Sequence, residues 1–440
     1  MMNMGRKLSI TAIFFLLLIS VAVSAVENYP YKSDYLWYAV PDHSDWLYKT
    51  GETAYIDVMF LKYGIPQNGM IEYEIADDIL SPDVYGKAEL KNGKVRIKVG
   101  TSAKPGFRDV RMKLKLDGTT YRHHVKIGFS PERILPYTSL PSDFNDWWQE
   151  NLKENGMLPL SYTKELCTSL CTDLVDCYLI KLKTDKSHYM YGYLMCPKNM
   201  KKGCHPVVLS PPGAGIKAIR DPRSRNYYPE NGCIRFVVEI HGINPNAPEE
   251  VYNDIRSAFD GRVKGYLYQG LDSREHYYMK HVYLGLVKCI DLLTSLPEWD
   301  GKNVVTLGGS QGGGLALAVA GLDKRVTHCV INHPALSDMA RGKIGEASGY
   351  PHPSEKEGLL TDNHVKTMAY YDAVNFARNI SAKTFMTWGF NDNTCPPTTS
   401  FAVWNILKCD KEKLVTPINE HWTSDTTNRL QLDWILKNLR

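Results

Sequence analysis

The segment Asn303 to Gly314, N-V-V-T-L-G-G-S-Q-G-G-G, constrains the fold more than any other stretch of the chain. Val304 to Leu307 is a short apolar run, the pattern of a strand buried in a parallel sheet. Gly308 to Gly312 then spells G-x-S-x-G, and Leu315 to Ala320 continues as a strong helix former. Strand, sharp turn and helix are the context of a nucleophile elbow, in which a serine stands on a strained turn above the sheet. Glycines flank it because side chains there would strike the strand or the helix. A glycine-rich strand–helix turn can also be a plain tight connection. The strand before and the helix after favour Ser310 as a nucleophile.

A nucleophilic serine needs a base, and the base needs an orienting acid. On such elbows the chain order is serine, acid, histidine. Ala382 to Trp388 reads as a strand that ends in Gly389-Phe390-Asn391-Asp392, followed by Cys395-Pro396-Pro397. A carboxylate just past a strand's C-terminal end lies on the edge where open α/β sheets place their sites. Asp392 is therefore the candidate acid, although N-D-N is also good turn chemistry. The rival is Asp338, after the segment Cys329 to Leu336. It would place the acid one strand earlier. His421 is the only histidine after Asp392. It follows a last strand at Leu414 to Pro417 and precedes a closing amphipathic helix, Thr426 to Leu439.

An oxyanion produced at Ser310 needs two backbone N–H donors. One belongs to the residue after the nucleophile, Gln311. The other comes from a loop after an earlier strand. Pro206 to Leu209 is that strand, and Ser210-Pro211-Pro212-Gly213-Ala214-Gly215 is the loop. Ala214 is the first candidate donor and Gly215 the second. An ordinary strand–helix loop would read much the same.

Three features together resemble the acetyl xylan esterase / cephalosporin C deacetylase family of α/β-hydrolases. They are the G-S-Q-G-G core, the preceding L-P-E-W-D at Leu296 to Asp300, and G-x-x-D-x-x-x-P-P at Gly389 to Pro397. The resemblance spans roughly the last two-thirds of the chain. It implies a serine esterase that removes acetyl groups from sugar hydroxyls, with Ser310, Asp392 and His421 as its triad and no metal or cofactor. Three places depart from the family's pattern. Pro212-Gly213-Ala214 replaces His-Gly-Tyr at the oxyanion loop. His241-Gly242-Ile243 replaces Arg-Gly-Gln, and Gly285 stands where an aspartate is common. These touch the acyl pocket and the oligomer contacts, not the triad.

Residues 1–25 read as an export signal: a basic start at Arg6 and Lys7, an apolar core from Ile10 to Val23, and small residues at Val23-Ser24-Ala25. The apolar run is short for a membrane span, so an exported periplasmic or secreted protein is expected, without stable membrane insertion. The formal charge of +4 falls to +2 once Arg6 and Lys7 are removed. That small excess gives no support for nucleic-acid binding. Ten cysteines lie in the remainder. Cys167, Cys171 and Cys177 cluster without a histidine at zinc-ligand spacing. Buried thiols or one or two disulfides are the expectation. Cys196 and Cys204 flank an expected hairpin turn at Pro197 to Gly203.

The chain is long enough for two domains. Between Val26 and Ser130, short alternating segments (Thr53–Leu61, Met70–Ile75, Lys94–Val99, Arg108–Leu116 and Tyr121–Ile127) are divided by the turns Lys91-Asn92-Gly93 and Leu116-Asp117-Gly118. They suggest a small immunoglobulin-like β-sandwich over 26–130, before an α/β-hydrolase domain over 140–440. Tyr29, Tyr31, Tyr35, Trp37, Tyr38 and Trp46 could present a sugar platform, but such residues more often fill a sandwich core.

The expected protein is thus an esterase acting on acetylated oligo- or polysaccharide, and it could assemble as a homo-oligomer. A prolyl-oligopeptidase-type peptidase and a non-catalytic carbohydrate-binding protein are the alternatives. Every chemical candidate lies after Pro206. A chain beginning near Leu140 is therefore expected to keep hydrolysis of a small ester, if the seam between the domains is not a large apolar interface.

Overall fold

The computed structural model describes residues 33–263 and 265–439. The segment read as an export signal, and Tyr29 and Tyr31, lie outside them. Residues 35–129 contain nine strands: β1 (Tyr35–Pro41), β2 (Leu47–Tyr48), β3 (Ala54–Lys62), β4 (Ile65–Pro66), β5 (Gly69–Asp77), β6 (Pro82–Leu90), β7 (Lys94–Gly100), β8 (Gly106–Leu116) and β9 (Thr119–Phe129). One sheet joins β1, β3, β4 and β7, and the other runs β2-β9-β8-β5-β6. Strict alternation drives this. Along β3, Ala54, Ile56, Val58 and Phe60 are buried, and they share a core with Val110, Leu114 and Val125 of the other sheet. Both signals form tight turns, with Asn92, Gly93, Asp117 and Gly118 all at φ between 50° and 76°, but only Asp117-Gly118 closes a hairpin, β8–β9; Asn92-Gly93 carries the chain from β6 of one sheet to β7 of the other. Two successive left-handed residues suit the tight turns that match strand twist. β6 escapes sequence reading because it is a mostly exposed edge strand with Pro82 and Gly86 inside it. A Cβ on Gly86 would sit 2.3 Å from the Tyr73 ring.

The later residues build one nine-stranded sheet from β10 (Tyr162–Leu166), β11 (Val175–Lys183), β12 (Tyr189–Pro197), β13 (His205–Ser210), β14 (Ile234–Glu239), β15 (Trp299–Gly309), β16 (His328–Asn332), β17 (Lys383–Trp388) and β18 (Lys411–Val415). The order is β10-β11-β12-β14-β13-β15-β16-β17-β18. Pairings from β10 through β12 to β14 are antiparallel, and those from β14 onward are parallel. The hairpin expected at Pro197 to Gly203 does not form. β14 lies between β12 and β13, so that turn crosses over rather than closing an antiparallel pair.

Both faces of the sheet are covered. Val304 packs with the helices Met279–Ser295 and Gln311–Leu322, while Val305 and Leu307 point to the other side, against Leu432, Trp434 and Ile435 of the helix Asp425–Asn438. Each fully buried aliphatic side chain of this kind contributes about 1.5–3 kcal/mol. The helix Gln311–Leu322 is buried on every side, which accounts for its lack of a polar face. Gly285 is closely packed: a Cβ there would lie 2.5 Å from Met190 Cε, so the methionine end would have to shift to admit a side chain.

All ten cysteines are free thiols. In the Cys167, Cys171 and Cys177 cluster no disulfide forms, and only Cys177 is a buried thiol; Cys167 and Cys171 are partly exposed. Cys177 is fully buried with Val175, Tyr193 and Met195, and burial pushes its thiol up to about 12. Of the early aromatics, Trp37 packs on Phe60 and stacks on His123, and Trp46 packs against the core. Tyr35 and Tyr38 remain exposed.

Candidate active site

The parallel strands β13, β15, β16 and β17 end at Ser210, Gly309, Asn332 and Trp388, so their following loops meet on one edge. Ser310 occupies the turn after β15 with φ 57° and ψ −128°, a conformation that a residue with a Cβ adopts only under strain. The strain is held by hydrogen bonds. Ser310 N–H donates to the Asn332 carbonyl at 3.0 Å, and the Ser310 carbonyl accepts from Gly313, Gly314 and Ala335. Gly308 and Gly312 are required by contact. A Cβ on Gly308 would lie 2.1 Å from the Gly312 carbonyl oxygen, and one on Gly312 would lie 2.5 Å from that of Pro211.

Asp392, four residues past β17, is fully buried. Its Oδ1 accepts N–H bonds from Thr394 and Cys395, each 2.8 Å, which lock the carboxylate in a tight turn. Its Oδ2 lies 2.8 Å from His421 Nδ1. A carboxylate there selects the tautomer that leaves Nε2 as the acceptor. Asp338, the rival acid, is engaged elsewhere: it accepts from the Tyr137 and Thr138 amides and pairs with Arg341 at 2.8 Å. Its buried neighbour Asp372 is raised well above the carboxylate range by burial and by the Asp338 charge.

Ser310 and His421 are not hydrogen-bonded to each other among the described residues. Catalytic hydrogen bonds are often long in unliganded sites and tighten when substrate arrives. His333, which sequence reasoning passed over, fills the space behind the base. Its ring centre is 4.4 Å from that of His421, and it lines a cavity of about 320 Å³ together with Ser310 and Trp422. Burial, with the neighbouring His421, pulls the His333 imidazole down to about 4, so it is neutral at neutral pH. Nitrogen and oxygen donors of His333, Asp392 and His421 lie within 4.8 Å of one another, a set that could also hold a metal ion.

The oxyanion loop packs against the helix start. Gln311 is the first residue of its helix, so its N–H has no carbonyl within the helix to bond. Its buried side chain accepts from Tyr266 Oη at 2.5 Å, and Tyr266 Oη accepts from Gly215 N–H at 3.1 Å. Gly215 is thereby removed as an oxyanion donor. The amides of Gly213 and Ala214 carry no hydrogen bond among the described residues, and Gly213 lines the Ser310 cavity. His241-Gly242-Ile243 serves another purpose. The amides of His241 and Ile243 donate to buried Glu239 at 2.8 Å, and burial pushes that carboxyl up to about 7. The His241 ring bonds Tyr278 Oη through Nδ1 at 2.7 Å and lies edge-on to Tyr266, with ring centres 4.8 Å apart.

The β-rich region is not a bystander. Lys126 of β9 is fully buried. Its amide donates to Asn391 Oδ1, and its Nζ donates to Asp78 Oδ1 and to the backbone carbonyl of Asp392, at 2.7–2.8 Å. Asp78 Oδ2 in turn takes Thr398 Oγ1. Phe107 of β8 inserts against Phe390 and Phe401, with ring centres 5.0 and 5.6 Å away. A larger cavity of about 840 Å³ lies at this seam, bordered by Tyr73, Arg111 and His124 on one side and by Asn393 and Glu420 on the other. Ser310 is not part of its lining. This seam bears on the condition attached to a chain beginning near Leu140. Without β8 and β9 the acid loop loses its lysine, and two phenylalanines face water. Lys126→Met should cost about 3–5 kcal/mol, because Asp78 is left as an unpaired buried charge. It should also lower kcat. Urea unfolding and p-nitrophenyl acetate kinetics check both, and wild-type values in both would refute the bracing role.

A family model described as acetyl xylan esterase (AXE1) matches residues 132–438. Acetyl esterase Axe7A of Xylanibacter ruminicola is 53% identical over 435 residues, covering 99% of this chain and 97% of that protein. The solved acetyl xylan esterase from Paenibacillus sp. R4 superposes with a TM-score of 0.62 at 25% identity, over 70% of this chain and 98% of the other. Acetyl xylan esterase 1 from Thermoanaerobacterium sp. JW/SL YS485 gives 0.62 at 22% identity, over 70% and 97%, a likeness of fold.

Proposed function

Because the chain belongs to the acetyl xylan esterase family, we propose that it removes acetyl groups from xylan-type polysaccharide through an acyl-enzyme on Ser310. It is a carboxylic ester hydrolase. The observation that carries the residue assignment is the 2.8 Å bond between His421 Nδ1 and Asp392 Oδ2, on the sheet edge where Ser310 is held strained.

Ser310 Oγ attacks the acetyl carbonyl as His421 Nε2 takes its proton. The amide N–H groups of Gln311 and Ala214 receive the oxyanion, with Gly213 as the neighbouring free amide. His421 then gives the proton to the departing sugar oxygen. Water, activated by the same imidazole, releases acetate and restores Ser310. Asp392 stays ionised, holds the imidazole orientation and stabilises its charged form.

The two sheets of residues 35–129 form an immunoglobulin-like sandwich in this reading, with the hydrolase domain following from about Leu140. Their packed core supports that division. Export is proposed from residues 1–25. No helix among the described residues is long and apolar enough to cross a membrane.

Acetate release from acetylated xylan, measured beside hydrolysis of p-nitrophenyl acetate and a peptide anilide, tests the function. Cleavage of both esters without the anilide is expected, and preference for the anilide would overturn it. The His333, Asp392 and His421 donor set gives a second test. Rates should be unchanged after treatment with a chelator, and loss that zinc restores would point to a metal hydrolase instead.

A further inference from the structure

The cavity that holds Ser310 has a feature that hydrolysis of an acetyl ester does not require. Two arginines, Arg225 and Arg235, are among its lining residues. Arg235 comes from β14 and is only 5% exposed. Its Nε donates to Ser210 Oγ at 3.0 Å, and its Nη1 is buried without a hydrogen-bond partner. Arg225 comes from the turn Pro222–Arg225, and its hydrogen bond is a long one, 3.4 Å from Nη2 to Asn428 Oδ1. Among the described residues, neither arginine pairs with a carboxylate.

This arrangement is costly unless something completes it. A buried guanidinium with an unbonded N–H forfeits hydration without replacing it. Two like charges on one cavity wall also repel. Burial, together with Arg225, pulls Arg235 down to about 10, yet it stays cationic at neutral pH. The face of the Tyr228 ring lies 6.0 Å from the Arg235 guanidinium, which helps to hold it but satisfies no N–H. An anion with two oxygens would satisfy both groups, because guanidinium forks match a carboxylate.

We propose that Arg225 and Arg235 form a carboxylate subsite beside Ser310, so that the preferred substrate is an acetylated glycan bearing a uronic acid next to the acetylated sugar. The inference rests on the esterase reading and names the substrate class for that same site. The substrate's own sugar is the better source of the carboxylate than product acetate. The acetyl carbon must sit at Ser310 with its oxygen toward the Gln311 amide, and a cationic grip on acetate would slow its release.

The test uses one acetylated glucuronoxylan oligosaccharide in two forms: native, and with the uronic carboxyl reduced to the alcohol. Wild-type kcat/KM should be about tenfold or more higher on the native form, chiefly through KM, and high salt should shrink the difference. In Arg225→Gln, at a half-exposed position, the ratio should approach one. Arg235→Lys, which keeps the charge but loses the fork, should lie between. Equal turnover of both forms by wild type overturns the carboxylate subsite and leaves the esterase reading standing. Failure to release acetate from either overturns both. Equal turnover, with acetate inhibiting wild type more strongly than Arg225→Gln, would give the pair to the product and also overturn the subsite.

Discussion

Ser310→Ala is expected to lower kcat on p-nitrophenyl acetate by about 10⁴–10⁶ while leaving the fold intact. The large effect follows from the division of labour at the site. Without Oγ there is no acyl-enzyme, and the remaining rate reflects the oxyanion amides and binding alone. The fold should survive because the loss is one hydroxyl at the sheet edge, while the bonds that hold the turn use the Ser310 backbone. The backbone strain persists in the variant, because alanine also carries a Cβ at this φ and ψ. Circular dichroism and thermal unfolding of the variant check the fold. Activity within about tenfold of wild type would remove Ser310 from the mechanism.

Asp392→Asn should cost about 10⁴ in kcat. An amide in place of the carboxylate can donate to His421 Nδ1 and so stabilises the wrong tautomer. It also removes the charge that balances the imidazolium in the transition state. Asp338→Asn should behave differently. Asp338 binds Arg341 and two backbone amides, far from the imidazole in the hydrogen-bond pattern. Its loss should show as a lower melting temperature, with kcat in the folded fraction close to wild type. Steady-state kinetics on both variants, each normalised to folded protein, give the ranking. The reverse order would move the acid to Asp338.

The catalytic edge was legible in the chain because each part is a local pattern. Val304 to Ala320 carries strand, elbow and helix in one run. Asp392 and His421 follow their strands in the order the elbow demands, and the two are joined at 2.8 Å. The turns at Asn92-Gly93 and Asp117-Gly118 were equally local. What escaped was assembled across the fold. Lys126 meets the Asp392 carbonyl across 266 positions, and no spacing rule links them. His333 and the arginines reach the Ser310 cavity from separate strands and turns. The expected hairpin at Pro197 to Gly203 failed for a related reason. Turn residues mark where the chain bends, whereas the insertion of β14 between β12 and β13 is decided by the packing of the whole sheet.

The most direct measurement of the central claim is the mass of a covalent adduct on the nucleophile. Wild-type protein treated with phenylmethylsulfonyl fluoride, digested and sequenced by mass spectrometry should carry one sulfonyl group on Ser310, with esterase activity lost in step with labelling. Ser310→Ala should take up none. Full labelling of Ser310 with activity retained, or inactivation traced to a different residue, would contradict the acyl-enzyme mechanism.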